Sequence, residues 1–228
     1  MQLADPEGFK KSEEAVSGAS VQIAELPFTN VLAHLQRTGV TVPQLHYYDR
    51  EAGLLYLEDF GDLTLAEACR DADRARLVSL YRQAIDQLVL LQVKGTQPPA
   101  PGCIAFHRRF DVPLLMWEFD HFLEYGIVAR LGQPMKPADD KAVRAEFQRI
   151  AELLAGQPQV FVHRDYHSRN LMVDGARLGI IDFQDALMGP ATYDLASLLK
   201  DAYIELDDAV VDGLVDHCLD GLAAHGQG

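Results

Sequence analysis

Leu77, Leu80, Tyr81, Ala84, Ile85, Leu88 and Leu91 recur three and four residues apart, which puts them on one face of a helix. The spacing predicts a helix over residues 73–94, with Asp73 as its N-cap and Gly95 as its stop. A second helix opens at Asp111 and Pro113 and carries Leu114, Leu115, Trp117, Phe119, Phe122 and Leu123 to Gly126. A third is expected over 138–155, and two more, about 192–201 and 207–224, finish the chain. The last presents Val211, Leu214, Val215, Cys218 and Leu222 as an apolar face that needs a cover.

The strand signals are shorter. Runs at 44–49 and 54–58 flank Arg50-Glu51-Ala52-Gly53 and read as a hairpin with glycine at its turn. Residues 160–162, 171–173 and 178–181 are further strands, the latter two joined by Asp174-Gly175. The pattern is a small β-containing front end, a hinge near 58–62, and a mainly helical body with one embedded hairpin. The class is α+β, divided into residues 1–58 and 59–228.

Composition narrows the classes. With 228 residues, 48% hydrophobic and 24% charged, the chain is long enough for a real core and is not disordered. No apolar run approaches the roughly 20 residues that span a bilayer, and the acidic N-terminus is not a secretory signal, so a cytoplasmic protein is expected. Lysine and arginine number 20 against 34 aspartates and glutamates, a net charge of −14 that opposes nucleic-acid and anionic-membrane partners. A local cationic pocket is still compatible with that balance. Cys69, Cys103 and Cys218 are odd in number and lack a CxxC spacing, as expected of reduced thiols.

The chemistry concentrates in Val162-His163-Arg164-Asp165-Tyr166-His167-Ser168-Arg169-Asn170, followed after one hairpin by Ile181-Asp182-Phe183-Gln184-Asp185. Phosphoryl transfer needs a carboxylate to orient and deprotonate the attacking hydroxyl, and oxygen ligands to hold Mg²⁺ on the phosphates. Asp165 supplies the first carboxylate and Asn170 an amide oxygen, and the hairpin returns Asp182 to the same sheet end. Taken singly, Asp165 reads equally well as a turn or cap residue and Asn170 as an Asx-turn; the joint spacing favours catalysis. His163 stands with the catalytic candidates, as a hydrogen-bonding brace for the loop more than as an acid or base. A transition-metal cluster of His163, Asp165 and His167 is the competing reading, without an HExxH or other second ligand set to support it.

HRDYHSRNLMV and GIIDFQDALMGPATYDLASLL resemble the catalytic and metal-binding loops of the aminoglycoside phosphotransferase and choline kinase superfamily. Within it, DFQDA followed by GPATYDLASLLKDAY is most similar to the bacterial N-acetylmuramate/N-acetylglucosamine anomeric kinases of cell-wall recycling. The resemblance covers about residues 20–205 and implies a protein-kinase-like fold with an incomplete N-terminal lobe and a mainly helical C-terminal lobe. It implies ATP and Mg²⁺ as cofactors, Asp165 as base, Asn170 and Asp182 as Mg²⁺ ligands, and Leu57, Glu58 and Phe60 as the adenine-binding hinge. Asp194 becomes a structural carboxylate bracing the loop, and Gly39-Val40-Thr41-Val42-Pro43 the turn into the hinge hairpin.

The superfamily's glycine-rich loop and strand lysine have no counterpart. No GxGxxG or GxxxxGK[ST] occurs, Lys10 and Lys11 lie too late to replace the lysine, and Glu25 is out of register with the helix glutamate. A chain shortened at both ends is therefore expected, with Met1-Gln2-Leu3 as the tail of the lysine strand. Two readings follow: an ATP-dependent kinase of a small hydroxylated metabolite, most simply an amino sugar, or a kinase-like module that binds without turnover. Trp117, Asp120 and Arg169 are the acceptor candidates, with Glu118 and His121 beside them. An aminoglycoside acceptor would need a cluster of carboxylates for its ammonium groups, and an N-acetyl sugar aromatic stacking with a few amide or hydroxyl partners, while a choline-type or antibiotic kinase differs only in its acceptor. Arg169 is suited to a sugar-acid carboxylate or a phosphate.

Overall fold

The computed structural model describes residues 25–226. Met1-Gln2-Leu3, Lys10 and Lys11 lie outside them. In chain order the elements are α1 (Pro27–Leu35), the hairpin β1 (Leu45–Asp49) and β2 (Leu54–Leu57), α2 (Leu65–Arg70), α3 (Arg74–Thr96) and α4 (Val112–His121). Helix α4 continues without a break through a π-helical segment, Phe122–Val128, and a last turn, Ala129–Leu131. Then come α5 (Pro137–Ala155), β3 (Gln159–Val162), β4 (Leu171–Asp174), β5 (Arg177–Ile180), β6 (Leu187–Pro190), α6 (Tyr193–Leu199) and α7 (Asp208–Ala224). The strands form separate antiparallel pairs, β1–β2, β3–β6 and β4–β5.

The helix starts follow from their caps. The Asp73 carboxylate accepts the Arg76 N–H at 2.7 Å, that of Asp111 accepts the Leu114 N–H at 2.9 Å, and that of Asp207 accepts the Val210 N–H at 2.9 Å. The ends differ from the sequence expectation in two places. Helix α3 runs through Gly95 to Thr96, because Gly95 is where Phe161 packs; a Cβ there would lie 3.2 Å from its ring. The stop comes instead at Gln97, held extended before Pro98. Helix α4 likewise passes Gly126, and the turn after it ends on Gly132, whose φ of +67° is the left-handed conformation glycine adopts freely.

Two elements appear that periodicity missed, α1 and α2. Helix α2 is a single capping box in which Thr64 Oγ1 accepts the Glu67 N–H and the Glu67 carboxylate accepts the Thr64 N–H. Strand β6 is also new, so the body holds a second strand pair besides the expected hairpin. Leu-Met-Gly-Pro looks like a turn, and only pairing with β3 makes it a strand.

One apolar core joins α1 (Leu32, Leu35), α3 (Ile85, Leu88, Leu91), β3 (Phe161), the following loop (Tyr166) and β5 (Ile180). A second gathers Phe110, Leu114, Leu115, Ala151, Val162 and Leu187. The apolar face of α7 finds its cover within the described chain: Val210, Leu214 and Cys218 are buried where α7 packs on α3. The three cysteines are buried free thiols, and burial pushes Cys69 up to about 11, which keeps it protonated and unreactive. No described helix is long and apolar enough to cross a membrane.

The hinge end of β2 is locked to the β4–β5 hairpin. The Phe60 ring is buried against Gly179, where a Cβ would come within 2.3 Å of it. Gly179→Ala is therefore expected to displace Phe60 and to cost about 1–3 kcal/mol by overpacking. Thermal unfolding checks this, and Phe60→Leu in the same chain should restore most of the loss.

Candidate active site

Strand β3 ends at Val162, and residues 163–170 turn the chain back into β4, a loop pinned along its length. Asp194, in the first turn of α6 and fully buried, accepts the His163 N–H at 2.7 Å and the Arg164 N–H at 3.1 Å. That grip holds Arg164 at φ +81°, a conformation a non-glycine residue keeps only when its surroundings impose it. Burial pushes the Asp194 carboxyl up to about 7, the two N–H bonds pull it down, and the Asp165 charge adds to the upward push.

His163 is also fully buried. Its Nε2 lies 2.9 Å from the Ile181 carbonyl, so Nε2 carries the proton, and burial pulls its pKa down to about 4. The ring is neutral near pH 7 and ties the loop to the strand leading to Asp182, a bracing role. Tyr166 Oη donates to the Ala84 carbonyl at 2.7 Å, and the Ser168 N–H donates to Asp201 at 2.9 Å.

Within this frame the structure brings Asp165, Asn170 and Asp182 together. Asn170 Nδ2 donates to the Asp165 carbonyl at 3.0 Å and lies 3.4 Å from Asp182 Oδ2. Gln184 Nε2 donates to Asp182 Oδ1 at 2.8 Å, and Asp182 itself sits at φ +65°. The backbone carbonyl of Asp165 does the structural work, accepting the His167 N–H as well. The residue is exposed, and its carboxylate makes no hydrogen bond or ion pair to any described residue.

Leu57 and Glu58 end the first hairpin. The Glu58 N–H donates to the Gln44 carbonyl at 2.8 Å, and its carboxylate takes Arg177 at 3.1 Å. The acceptor candidates scatter. The Trp117 ring lies on His121 at 3.9 Å. Asp120 is ion-paired with Arg144 of α5 and lines a separate groove of about 520 Å³. Arg169 has its guanidinium carbon 3.9 Å from the centre of the Tyr203 ring. The acid on α4 that reaches the catalytic loop is Glu118, which accepts from Arg164 Nη2 at 2.7 Å. Arg164, Gln184, Asp201 and Tyr203 carried no signal in the sequence, because each acts through a contact that only the fold creates.

A two-oxygen protein contribution fits a hard divalent cation that takes its other ligands from phosphate and water. Among the described residues no group of three His, Cys, Asp or Glu side chains could hold a metal alone. Asn170 and Asp182 offer that oxygen pair.

A sequence profile described as the phosphotransferase enzyme family matches residues 17–225. The chain belongs to that family. Among curated relatives, an N-acetylmuramate/N-acetylglucosamine kinase of Pseudomonas putida is 37% identical over 191 residues, covering 82% of this chain and 52% of the relative. One of the same name from Neisseria meningitidis is 34% identical over 177 residues, covering 77% and 51%. The chain thus spans about half the length of these relatives. Among solved structures, a choline/ethanolamine kinase family protein from Mesorhizobium loti superposes with a TM-score of 0.58 at 18% identity, covering 89% of this chain and 61% of that one. An aminoglycoside-3'-phosphotransferase of type VIII gives 0.58 at 16%, covering 89% and 73%. The fold of this family member is thus the protein-kinase-like α+β fold that the resemblance implied.

Proposed function

We propose that this chain carries the catalytic and metal-binding loops of an ATP-dependent kinase that phosphorylates a hydroxyl of an amino sugar of the N-acetylmuramate/N-acetylglucosamine type. The observation that carries the reading is that Asn170 Nδ2 meets both the Asp165 backbone carbonyl and the Asp182 carboxylate, at the ends of one braced loop and one hairpin, while the Asp165 carboxylate is exposed and unpaired among the described residues. The names of the curated relatives support the acceptor class.

Asp165 orients the acceptor hydroxyl and takes its proton as the oxygen attacks phosphorus. Asn170 and Asp182 would hold Mg²⁺, which when bound neutralises charge on the ATP phosphates. His163 and Asp194 keep the loop in place, and Glu118, through Arg164, sets the position of α4 beside it. The backbone of Leu57, Glu58 and Phe60 is assigned to the adenine. Positioning and charge neutralisation supply most of the rate in this chemistry.

The test is ADP release from Mg·ATP with N-acetylmuramate, N-acetylglucosamine, choline or an aminoglycoside offered in turn, with Asp165→Ala as control. Turnover is expected with the two N-acetyl sugars and not with the control. Folded protein that turns over none of the four would overturn the reading.

A further inference from the structure

Gln184 lies in the turn that follows Asp182, and that turn is closed without its side chain. The Ala186 N–H donates to the Phe183 carbonyl at 3.1 Å, and the Phe183 ring is fully buried and stacked on Phe28 of α1, their centres 5.0 Å apart. The largely buried Arg108 guanidinium reaches the Gln184 carbonyl at 3.4 Å and the Asp185 carboxylate at 3.8 Å. The backbone of Gln184 is thus fixed by other groups, while its side chain turns back two residues to Asp182 Oδ1 at 2.8 Å. A carboxylate oxygen only accepts, so the amide presents its NH₂ there.

That bond falls on a side chain that little else holds. Asp182 is exposed, its backbone stands at φ +65°, and its other hydrogen-bonding contact among the described residues is Asn170 Nδ2, 3.4 Å from Oδ2. The Ile181 N–H donates to the Asn170 carbonyl at 3.1 Å, so the backbones leading to the two candidate ligands are tied together. What is left to rotate is the Asp182 carboxylate itself. A solvent-exposed bond between residues two apart adds little to folding. Its effect is local: it engages Oδ1 and leaves Oδ2, on the Asn170 side, as the freer oxygen.

We infer that Gln184 is a positioning residue that makes Asp182 a one-oxygen ligand and thereby tunes the site to Mg²⁺ over Ca²⁺. The inference rests on the proposed function, which assigns the cation to Asn170 and Asp182. Mg²⁺ demands near-octahedral geometry at short distances, whereas Ca²⁺ accepts one or both oxygens of a carboxylate in a larger and looser shell. A carboxylate pinned through one oxygen suits the first, and one free to turn suits the second. Groups that orient a metal ligand are typically worth about 10–100-fold in metal affinity.

The test is calorimetric titration of the full chain with ADP in magnesium chloride, in calcium chloride and in EDTA, for the parent, Gln184→Met and Asp182→Asn. Methionine keeps the length of glutamine and removes the donor. The parent is expected to bind ADP more tightly in Mg²⁺ than in EDTA, and Asp182→Asn to lose that gain. Gln184→Met should lower the ratio of the affinities in Mg²⁺ and Ca²⁺ by about tenfold or more and leave binding in EDTA unchanged. A ratio that survives in Gln184→Met would overturn the inference and leave the proposed function standing. A parent without any gain from Mg²⁺ would overturn both. If the ratio depends on Gln184 but ADP release shows no acceptor turnover, the proposed kinase activity fails and the role of Gln184 stands.

Discussion

Asp165→Asn is expected to lower the turnover number on the amino-sugar acceptor by about 10²–10⁴-fold, the usual contribution of a positioned general base. Its unfolding midpoint should stay where it is. The separation follows from how the residue is used. The loop holds Asp165 through its backbone carbonyl, which accepts from Asn170 Nδ2 and the His167 N–H, and asparagine keeps that carbonyl. The side chain is exposed and bonded to no described residue, so folding does not depend on its charge. KM for ATP should also hold, because the residues proposed to hold the metal are Asn170 and Asp182, which the substitution leaves in place. Steady-state kinetics beside a melting curve make the check. A variant that turns over at the parental rate would remove Asp165 from the chemistry and with it the mechanism argued above.

Much of this arrangement was legible in the sequence because it is encoded locally. Asp73 and Asp111 announce their helices through side chains that cap the first turn, and Gly53 and Gly175 announce two hairpins through turns that need φ near +60°. Asp165 and Asn170 share one loop, and one hairpin separates them from Asp182, so motif spacing alone brings the three near one another. What was hidden depends on distant partners. Gly95 looks like a helix stop until Phe161 is seen against it, and Leu187–Pro190 is a strand only because β3 lies beside it. Asp120 and Glu118 are equivalent on paper, and only the fold hands one to Arg144 and the other to Arg164.

Asp194→Ala is expected to destabilise the chain by about 3 kcal/mol, because it leaves the His163 and Arg164 N–H groups without acceptors, each at the usual cost of about 1–3 kcal/mol. Asp194→Asn keeps one acceptor oxygen and should cost less. The pH response separates bracing from bulk stability. The folded Asp194 carboxyl, pushed up to about 7, holds its proton more tightly than the unfolded chain does. Its contribution to stability is therefore fully present below about pH 4 and declines as pH rises to about 7. His163, pulled down to about 4, works in the opposite sense: the unfolded imidazole binds the proton more tightly, so its contribution is lost as pH falls from about 6.5 to 4. The two slopes oppose each other over most of that range, and the melting temperature of the parent should change little through it. Turnover has no such compensation. Protonating Asp194 replaces an acceptor by a donor opposite two N–H groups, loosens Arg164 from φ +81°, and moves Asp165 with it. The turnover number of the parent should thus fall below about pH 7 with an inflection that Asp194→Asn lacks. An unchanged inflection in Asp194→Asn would assign it to another group and reduce Asp194 to a packing element.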